Sequence, residues 1–223
     1  MSTLTLEHVT YRYKNAAAPA VNDASFTFAP GKLYAIVGPS GSGKSTLLSM
    51  MAGLDLPTDG EVRYDEHSLR EMDLDKYRRE DISMIFQAFQ LFPLLTVMEN
   101  VCYPMELSGV APKDARERAA QYLAKVGITE EQMKRFPANL SGGEQQRVAI
   151  ARSLASGART FLADEPTGNL DVANTENIME LLCGLAREDG YCVIVVTHDM
   201  EVAELADVRL EMRGGVLSAA KGA

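Results

Sequence analysis

Residues 38–46, GPSGSGKST, fit the spacing G-x-x-x-x-G-K-[ST] at Gly38, Gly43, Lys44 and Ser45, and they follow the apolar run LYAIV. The chemistry on offer is the holding of phosphate. Through Gly38, Pro39, Ser40, Gly41, Ser42 and Gly43 the chain can bend so that successive backbone N–H groups face one anion. Lys44, Ser45 and Thr46 then open a helix whose N-terminus adds partial positive charge. Lys44 can reach the β- and γ-phosphates of a nucleotide, and the Ser45 hydroxyl suits Mg²⁺. A plain Gly-Ser turn is the bland alternative; the strand–loop–helix setting favours nucleotide binding.

A magnesium site needs a second ligand, and TFLADEP at 160–166 supplies one. Its apolar strand ends in Asp164, at the carboxyl edge where open α/β sheets bind ligands. Glu165 comes next and can act as general base on a water molecule. A third stretch, LSGGEQQR at 140–147, places Gly142 and Gly143 behind Ser141. Ser141 and Glu144 make the S-x-x-E pattern of a capping box before the helically spaced VAIARSLA. That accounts for the serine and the glutamate. Two glycines in a first turn cost about 1 kcal/mol each relative to alanine; bare N–H groups at a helix N-terminus would make a second anion site.

These residues need elements to hold them. Alternation in LTLEHVTYRY, with Leu4, Leu6 and then His8 or Val9 inward, predicts a half-buried strand. ASFTFAPGKLYAIVG reads as two strands about a Pro30-Gly31 turn, the second apolar on both faces like a strand inside a covered sheet. A helix is expected from Lys44 to Leu54, with strands at GEVRY and DISMIFQ. From Phe89 to Ala158 the pattern is almost wholly helical. TFLAD, CVIVVTH and VRLEM then restore strands about the helical ANTENIMELLCGLARE. Strand–helix alternation about a helical middle implies an α/β domain with a helical insertion.

The 223 residues are 46% hydrophobic and 24% charged, an ordinary globular composition. A net charge of −9 argues against an electrostatic nucleic-acid or anionic-membrane binder. Cys102, Cys183 and Cys192 are scattered and read as reduced, buried or half-buried thiols. The opening MSTLTLEHVT does not pattern as a signal peptide, and no apolar run approaches a membrane span, so contact with a membrane is expected only through a partner.

Taken in order, GPSGSGKST, the glutamine of MIFQAFQLFP, LSGGEQQR, FLADEPTGNLD and VVTHD resemble the nucleotide-binding domain of an ATP-binding-cassette (ABC) protein over nearly the whole chain. The resemblance implies a RecA-like P-loop NTPase core with an antiparallel β-subdomain and a helical insertion subdomain. In that division 1–88 and 159–223 form the core and 89–158 the insertion. It also implies an ATPase with ATP and Mg²⁺ as cofactors. Gln87 matches the glutamine that helps hold Mg²⁺ or the attacking water, and His198 the histidine that contacts the γ-phosphate. Asp171, ending NLD, matches a loop that crosses a dimer interface. Tyr13 matches the aromatic that stacks on adenine, with Tyr11 adjacent in pattern. Ser141, Gly142 and Gly143 match the signature that faces the ATP of a second copy, so that two chains sandwich two ATP molecules head to tail.

ADEPTGNLD, FQLFPLLTVMENV and SGGEQQRVAIARSLA look most like cassettes of the lipoprotein-release, macrolide-efflux, cell-division and peptide-antibiotic-resistance group. Their partners are separate membrane subunits with few spans and a large extracytoplasmic domain. Lys32 stands where that group often has Glu, and Glu144 where it often has Gln. The resemblance therefore implies a cytoplasmic chain held at the membrane by such a partner. It also implies an apolar docking groove for that partner drawn from Phe89, Leu91, Phe92, Leu94 and Leu95, with Leu95 exposed. A soluble ABC ATPase working on nucleic acid or ribosomes is the other class; its relatives carry tandem cassettes or coiled-coil insertions that 223 residues do not accommodate, and the acidic charge disfavours it. A phosphate-loop kinase or GTPase lacks the LSGGEQQR stretch. The few residues after VRLEM leave no room for a C-terminal regulatory domain.

Overall fold

A computed structural model describes residues 2–220. The chain begins with β1 (Leu4–Tyr11), β2 (Val21–Phe28), β3 (Lys32–Val37) and α1 (Lys44–Met51). Next come β4 (Asp59–Tyr64), β5 (His67–Ser68), α2 (Leu74–Glu80) and β6 (Ile82–Phe86). Four helices follow, α3 (Val97–Leu107), α4 (Pro112–Lys125), α5 (Glu130–Met133) and α6 (Gly142–Ala155). The chain closes with β7 (Thr160–Asp164), α7 (Val172–Arg187), β8 (Cys192–Thr197), α8 (Met200–Glu204), β9 (Val208–Arg213) and β10 (Val216–Ala219).

The strands form two sheets. One is antiparallel, in the order β2-β1-β4-β5; the other has the order β10-β9-β3-β8-β7-β6, parallel except for β10. Side chains alternate along a strand, and here the alternation sorts two cores. Leu33, Phe161, Ala163, Val193 and Val195 face the helices α3, α4, α6 and α7. Tyr34, Ile36, Leu162, Ile194 and Val196 face α1 and the antiparallel sheet. Both faces are covered, which is why LYAIV and VIVV carry no polar alternation.

Local differences from the pattern have local causes. β1 does not keep strict alternation: its pairing with β2 slips between Leu6 and Val9, and Val9 rather than His8 turns inward. His8 sits at the bulge with φ 52°, its Nδ1 2.7 Å from Asp23 Oδ1. α1 stops at Met51, short of Leu54, because Gly53 takes φ 64°. Gly53 N–H donates to Met50 O and Leu54 N–H to Ser49 O, the paired bonds that close a helix through a left-handed glycine. The elements α2, α8, β5 and β10 are short and were not legible as periodic runs. Residues 87–96 are irregular rather than helical. The three cysteines are free, Cys102 and Cys192 buried and Cys183 half-buried.

Candidate active site

β3, β8, β7 and β6 lie side by side and parallel. The loops leaving their carboxyl ends therefore meet at one edge, although they lie far apart in sequence. A cleft of about 650 Å³ opens there, lined by Tyr13, Ala20, Ser40, Gly41, Gly43, Lys44, Ser45, Thr46, Gln87, Glu165 and His198.

The phosphate loop is packed too tightly for side chains. A Cβ on Gly38 would lie 2.1 Å from Met212 O, and one on Gly43, where φ is 105°, 2.1 Å from Ala20 O. Gly43 opens α1 without any side-chain cap, so the first N–H groups of the helix are left to a ligand. Lys44 is 8% exposed, and its Nζ donates to Gly38 O (2.7 Å) and Pro39 O (3.1 Å). The Ser42 hydroxyl is buried without a hydrogen-bond partner. Tyr13 lines the cleft and Tyr11 does not; the Tyr13 hydroxyl is 3.0 Å from Thr46 Oγ1, and its ring meets Tyr11 edge to face. That contact ties the aromatic of the loop after β1 to the phosphate loop.

Asp164 ends β7, level with Phe86 and Val196 of its neighbours. Burial pushes its carboxyl above the ordinary value; a hydrogen bond from Ser45 opposes this, while Glu165 adds to it. A half-buried carboxylate beside a serine hydroxyl is a hard oxygen donor set. Among the described residues, no three His, Cys, Asp or Glu cluster as a ready-made metal cage. The set therefore fits Mg²⁺, which takes one or two protein ligands and draws the rest from water and substrate phosphates.

Glu165 turns the chain out of the sheet with φ 48° while its N–H still donates to Val196 O. Its Oε1 is 2.8 Å from His198 Nδ1, and its Oε2 accepts from the Thr197 hydroxyl at 3.3 Å. The side chain of His198 is 71% exposed and that of Glu165 19%, so the histidine is the outer member of the pair. Thr197 was not singled out in the sequence, although it directly precedes His198. Gln87 is joined twice to Asn169, whose Nδ2 donates to Gln87 O at 3.0 Å and whose Oδ1 accepts from Gln87 Nε2 at 3.3 Å. A Cβ on Gly168 would be 2.7 Å from Gln87 Nε2, so the glutamine lies against bare backbone. Asn169 lies inside the GNLD run, in which the resemblance gives a role only to Asp171.

Ser141, Gly142, Gly143 and Asp171 do not line the cleft. Ser141 and Glu144 form the expected capping box, with Ser141 N–H donating to Glu144 Oε2 at 2.6 Å and Glu144 N–H to Ser141 Oγ at 3.3 Å. The two glycines differ. A Cβ on Gly143 would fall 2.0 Å from Asn174 Oδ1, whereas on Gly142 the nearest atom is a Leu170 methyl at 3.4 Å. Gly143 thus has a packing reason inside this chain, and Gly142 does not. Asp171 caps α7, accepting from Asn174 N–H at 2.8 Å and from Asn174 Nδ2.

The family model "ABC transporter" matches residues 21–168. The ABC transporter ATP-binding protein YclH of Bacillus subtilis is 40% identical over 96% of this chain and 95% of its own length. The ABC transporter ATP-binding protein Rv0986 of Mycobacterium tuberculosis is 41% identical over 93% of this chain and 85% of its own. Among solved structures, the dimeric bacterial ABC transporter cassette MJ0796 superposes with a TM-score of 0.87 at 39% identity, covering 99% of this chain and 100% of that one. The same cassette is also known as a dimer in a post-hydrolysis state bound to ADP and Pi. CbiO1 of Clostridium perfringens, part of the ABC transporter complex CbiONQ, gives a TM-score of 0.88 at 29% identity over 96% of this chain and 86% of its own. The chain belongs to the ABC transporter family, with the P-loop NTPase fold of its ATP-binding cassettes. It is an ATPase of that family.

Proposed function

We propose that this cassette binds MgATP in the cleft at the carboxyl edge of the parallel sheet, hydrolyses it as a head-to-tail pair with a second copy, and drives a separate membrane subunit. The observation that carries the reading is an incompleteness. The cleft gathers Lys44, Gln87, Glu165 and His198, while the helix N-terminus at 141–143 lies outside it. A second chain can supply its own.

Within one site the roles follow from position. The N–H groups of 38–46 and Lys44 hold the phosphates, and Tyr13 packs on the adenine. Ser45, Asp164 and Gln87 would hold Mg²⁺, which when bound neutralises charge on the phosphate oxygens. Glu165 takes the proton of the attacking water. His198 and Thr197 fix the two oxygens of that carboxylate, so it presents one orientation. Ser141, Gly142, Gly143 and Asp171 act on the nucleotide of the partner copy. The core, 1–88 with 159–223, carries the chemistry, and 89–158 carries its output; residue 1 and 221–223 lie outside the described residues. Among the described residues no helix is long and apolar enough to cross a membrane, which accords with a cytoplasmic cassette held to the membrane by its partner, of the few-span group named above.

The docking surface needs a correction. Leu95 is half-buried, not exposed, and its carbonyl is bonded to Asn100. Of that group Phe92 (41%) and Leu94 (87%) are exposed, and Tyr103 and Leu107 of α3, also exposed, line one groove with Phe92. These four are the surface we assign to the membrane subunit.

The dimer is tested by light scattering on Glu165→Gln at saturating MgATP, where the uncleaved γ-phosphate should bridge two chains. A doubled mass is expected. Mixing Lys44→Ala with Ser141→Arg chains should regenerate one working site, and Ser141→Arg alone should abolish the doubling. A Glu165→Gln chain that remains monomeric overturns the head-to-tail reading.

A further inference from the structure

The segment from Gln87 to Thr96 has no regular structure, so its carbonyls must find partners elsewhere. Three side chains supply them, two from distant elements and one from the helix that follows, and they divide the segment. Asn169, in the loop after β7, holds Gln87 O. Arg152, in the last turn of α6, donates through Nη2 to Phe89 O (3.2 Å) and through Nη1 to Gln90 O (2.6 Å). Asn100, fully buried in α3, donates to Phe92 O, Leu95 O and Thr96 O. Gln87 is therefore fastened to the β-sheet side, and the carbonyls from Phe89 onward to the helical side, while the Phe89 N–H still donates to Phe86 O of β6 at 3.2 Å. Only Ala88 lies between.

The backbone at this joint is under strain. Phe89 has φ 58° and Gln90 φ 51°, two consecutive residues with side chains in the left-handed region. Gln90 N–H donates to Ala88 O at 2.5 Å, closing a three-residue turn centred on Phe89 in its rare, strained form. Such conformations persist only where the surroundings over-determine them. What does so here is the Arg152 guanidinium, whose planar fork spans the two successive carbonyls and whose carbon lies 5.8 Å from the Phe92 ring centre.

We infer that Arg152 is a positioning residue for hydrolysis: by clamping Phe89 and Gln90 in left-handed backbone it sets where Gln87 stands in the cleft, and it makes Ala88 the joint between the sheet and the helices. The inference rests on the proposed role of Gln87 at the γ-phosphate and metal. Arg152 touches no substrate, and it lies on the same helix that carries Ser141 and Gly142 at its other end. The two hydrogen bonds from Arg152 thus give a displacement of α6 a direct route to the segment that carries Gln87.

The test compares ATPase activity of the full chain as wild type, Arg152→Met, Gln87→Ala and the double variant. Arg152→Met should lower kcat about 10-fold with little change in the KM for ATP, and Arg152→Lys should restore only part, because an ammonium cannot span two carbonyls. In the Gln87→Ala background, Arg152→Met should cost nothing further. Adding Gln90→Gly to Arg152→Met should recover activity, since glycine adopts φ near 50° without the clamp. Losses that multiply in the double variant, or a Gln90→Gly change that fails to rescue, overturn the proposal. The clamp itself is read by amide exchange over 88–92, which should speed up in Arg152→Met; unchanged exchange also overturns it. Wild-type activity in Gln87→Ala would instead sink the role given to Gln87, leaving the exchange result to judge the clamp alone.

Discussion

In the proposed reaction, Glu165 is the residue on which hydrolysis turns. Both its carboxylate oxygens are engaged, one by His198 and one by Thr197, and its left-handed backbone keeps it at the strand end. Glu165→Gln preserves shape and loses basicity, so steady-state turnover should fall by about 100-fold or more while MgATP still binds. Lys44→Ala should instead weaken nucleotide binding; a titration with a fluorescent ATP analogue separates the two. The paired glycines allow a second comparison. Gly143→Ala forces Asn174 off Asp171 and should cost about 1–3 kcal/mol. Gly142→Ala has room and should raise the melting temperature by about 2–4 °C, the gain of about 1 kcal/mol in helix propensity. Yet it should weaken ATP-driven dimerisation, because a methyl group then covers the helix end offered to the partner. Thermal melts and light scattering on the two variants check this contrast.

Helix ends tell a similar story at the next scale. Thr96–Glu99, Thr129–Gln132 and Ser141–Glu144 are all capping boxes. The bond from Ser141 N–H holds the Glu144 carboxyl below its ordinary value. A depressed carboxyl contributes stability that is complete above its unfolded pKa of about 4.3 and is lost as pH falls through the lower folded value. Glu144→Ala should cost about 1 kcal/mol at neutral pH, a drop of about 2–4 °C in Tm. Glu144→Gln keeps the cap and should remove its share of the loss below pH 4, which melts at pH 3 and 7 would show. This box was legible in the sequence because all its members lie within four residues. So were the phosphate loop and the strand ends carrying Asp164 and His198, where periodicity stops at a polar residue. Arg152, Asn169 and Asn100 were not: Arg152 and Asn169 act across 62 to 82 residues, and Asn100 braces a loop whose path no local pattern announces. Leu95 was misjudged for the same reason, since an apolar residue in an irregular segment carries no period to say which way it faces.

At the scale of the whole molecule, the proposed function assigns two surfaces to other chains: the face that carries Ser141 and Gly142, and the exposed apolar residues Phe92, Leu94, Tyr103 and Leu107. Leu94 is the cleaner probe of the second, because Phe92 also lies against Arg152. Leu94→Asp should leave folding and MgATP binding unchanged, as expected for an 87% exposed side chain. It should reduce co-purification with the membrane subunit at least about tenfold, the loss of a buried apolar anchor. Normal capture of that subunit by a folded Leu94→Asp chain would place the docking surface elsewhere.

The strand that feeds the phosphate loop, β3, is flanked by β8 and β9, with Leu33 opposite Val193 and Ile36 opposite Leu210. Both neighbours come from the last 32 residues of the 223. During synthesis, GPSGSGKST is therefore translated well before it can be placed, because β8 and β9 lie far downstream of it. A polypeptide cut short at Arg187 contains the phosphate loop, Asp164, Glu165 and the signature, yet its most apolar strand has two open edges. Such edges pair with whatever strand they meet. A frameshift between α7 and β8 would thus yield an aggregate, not a feeble enzyme.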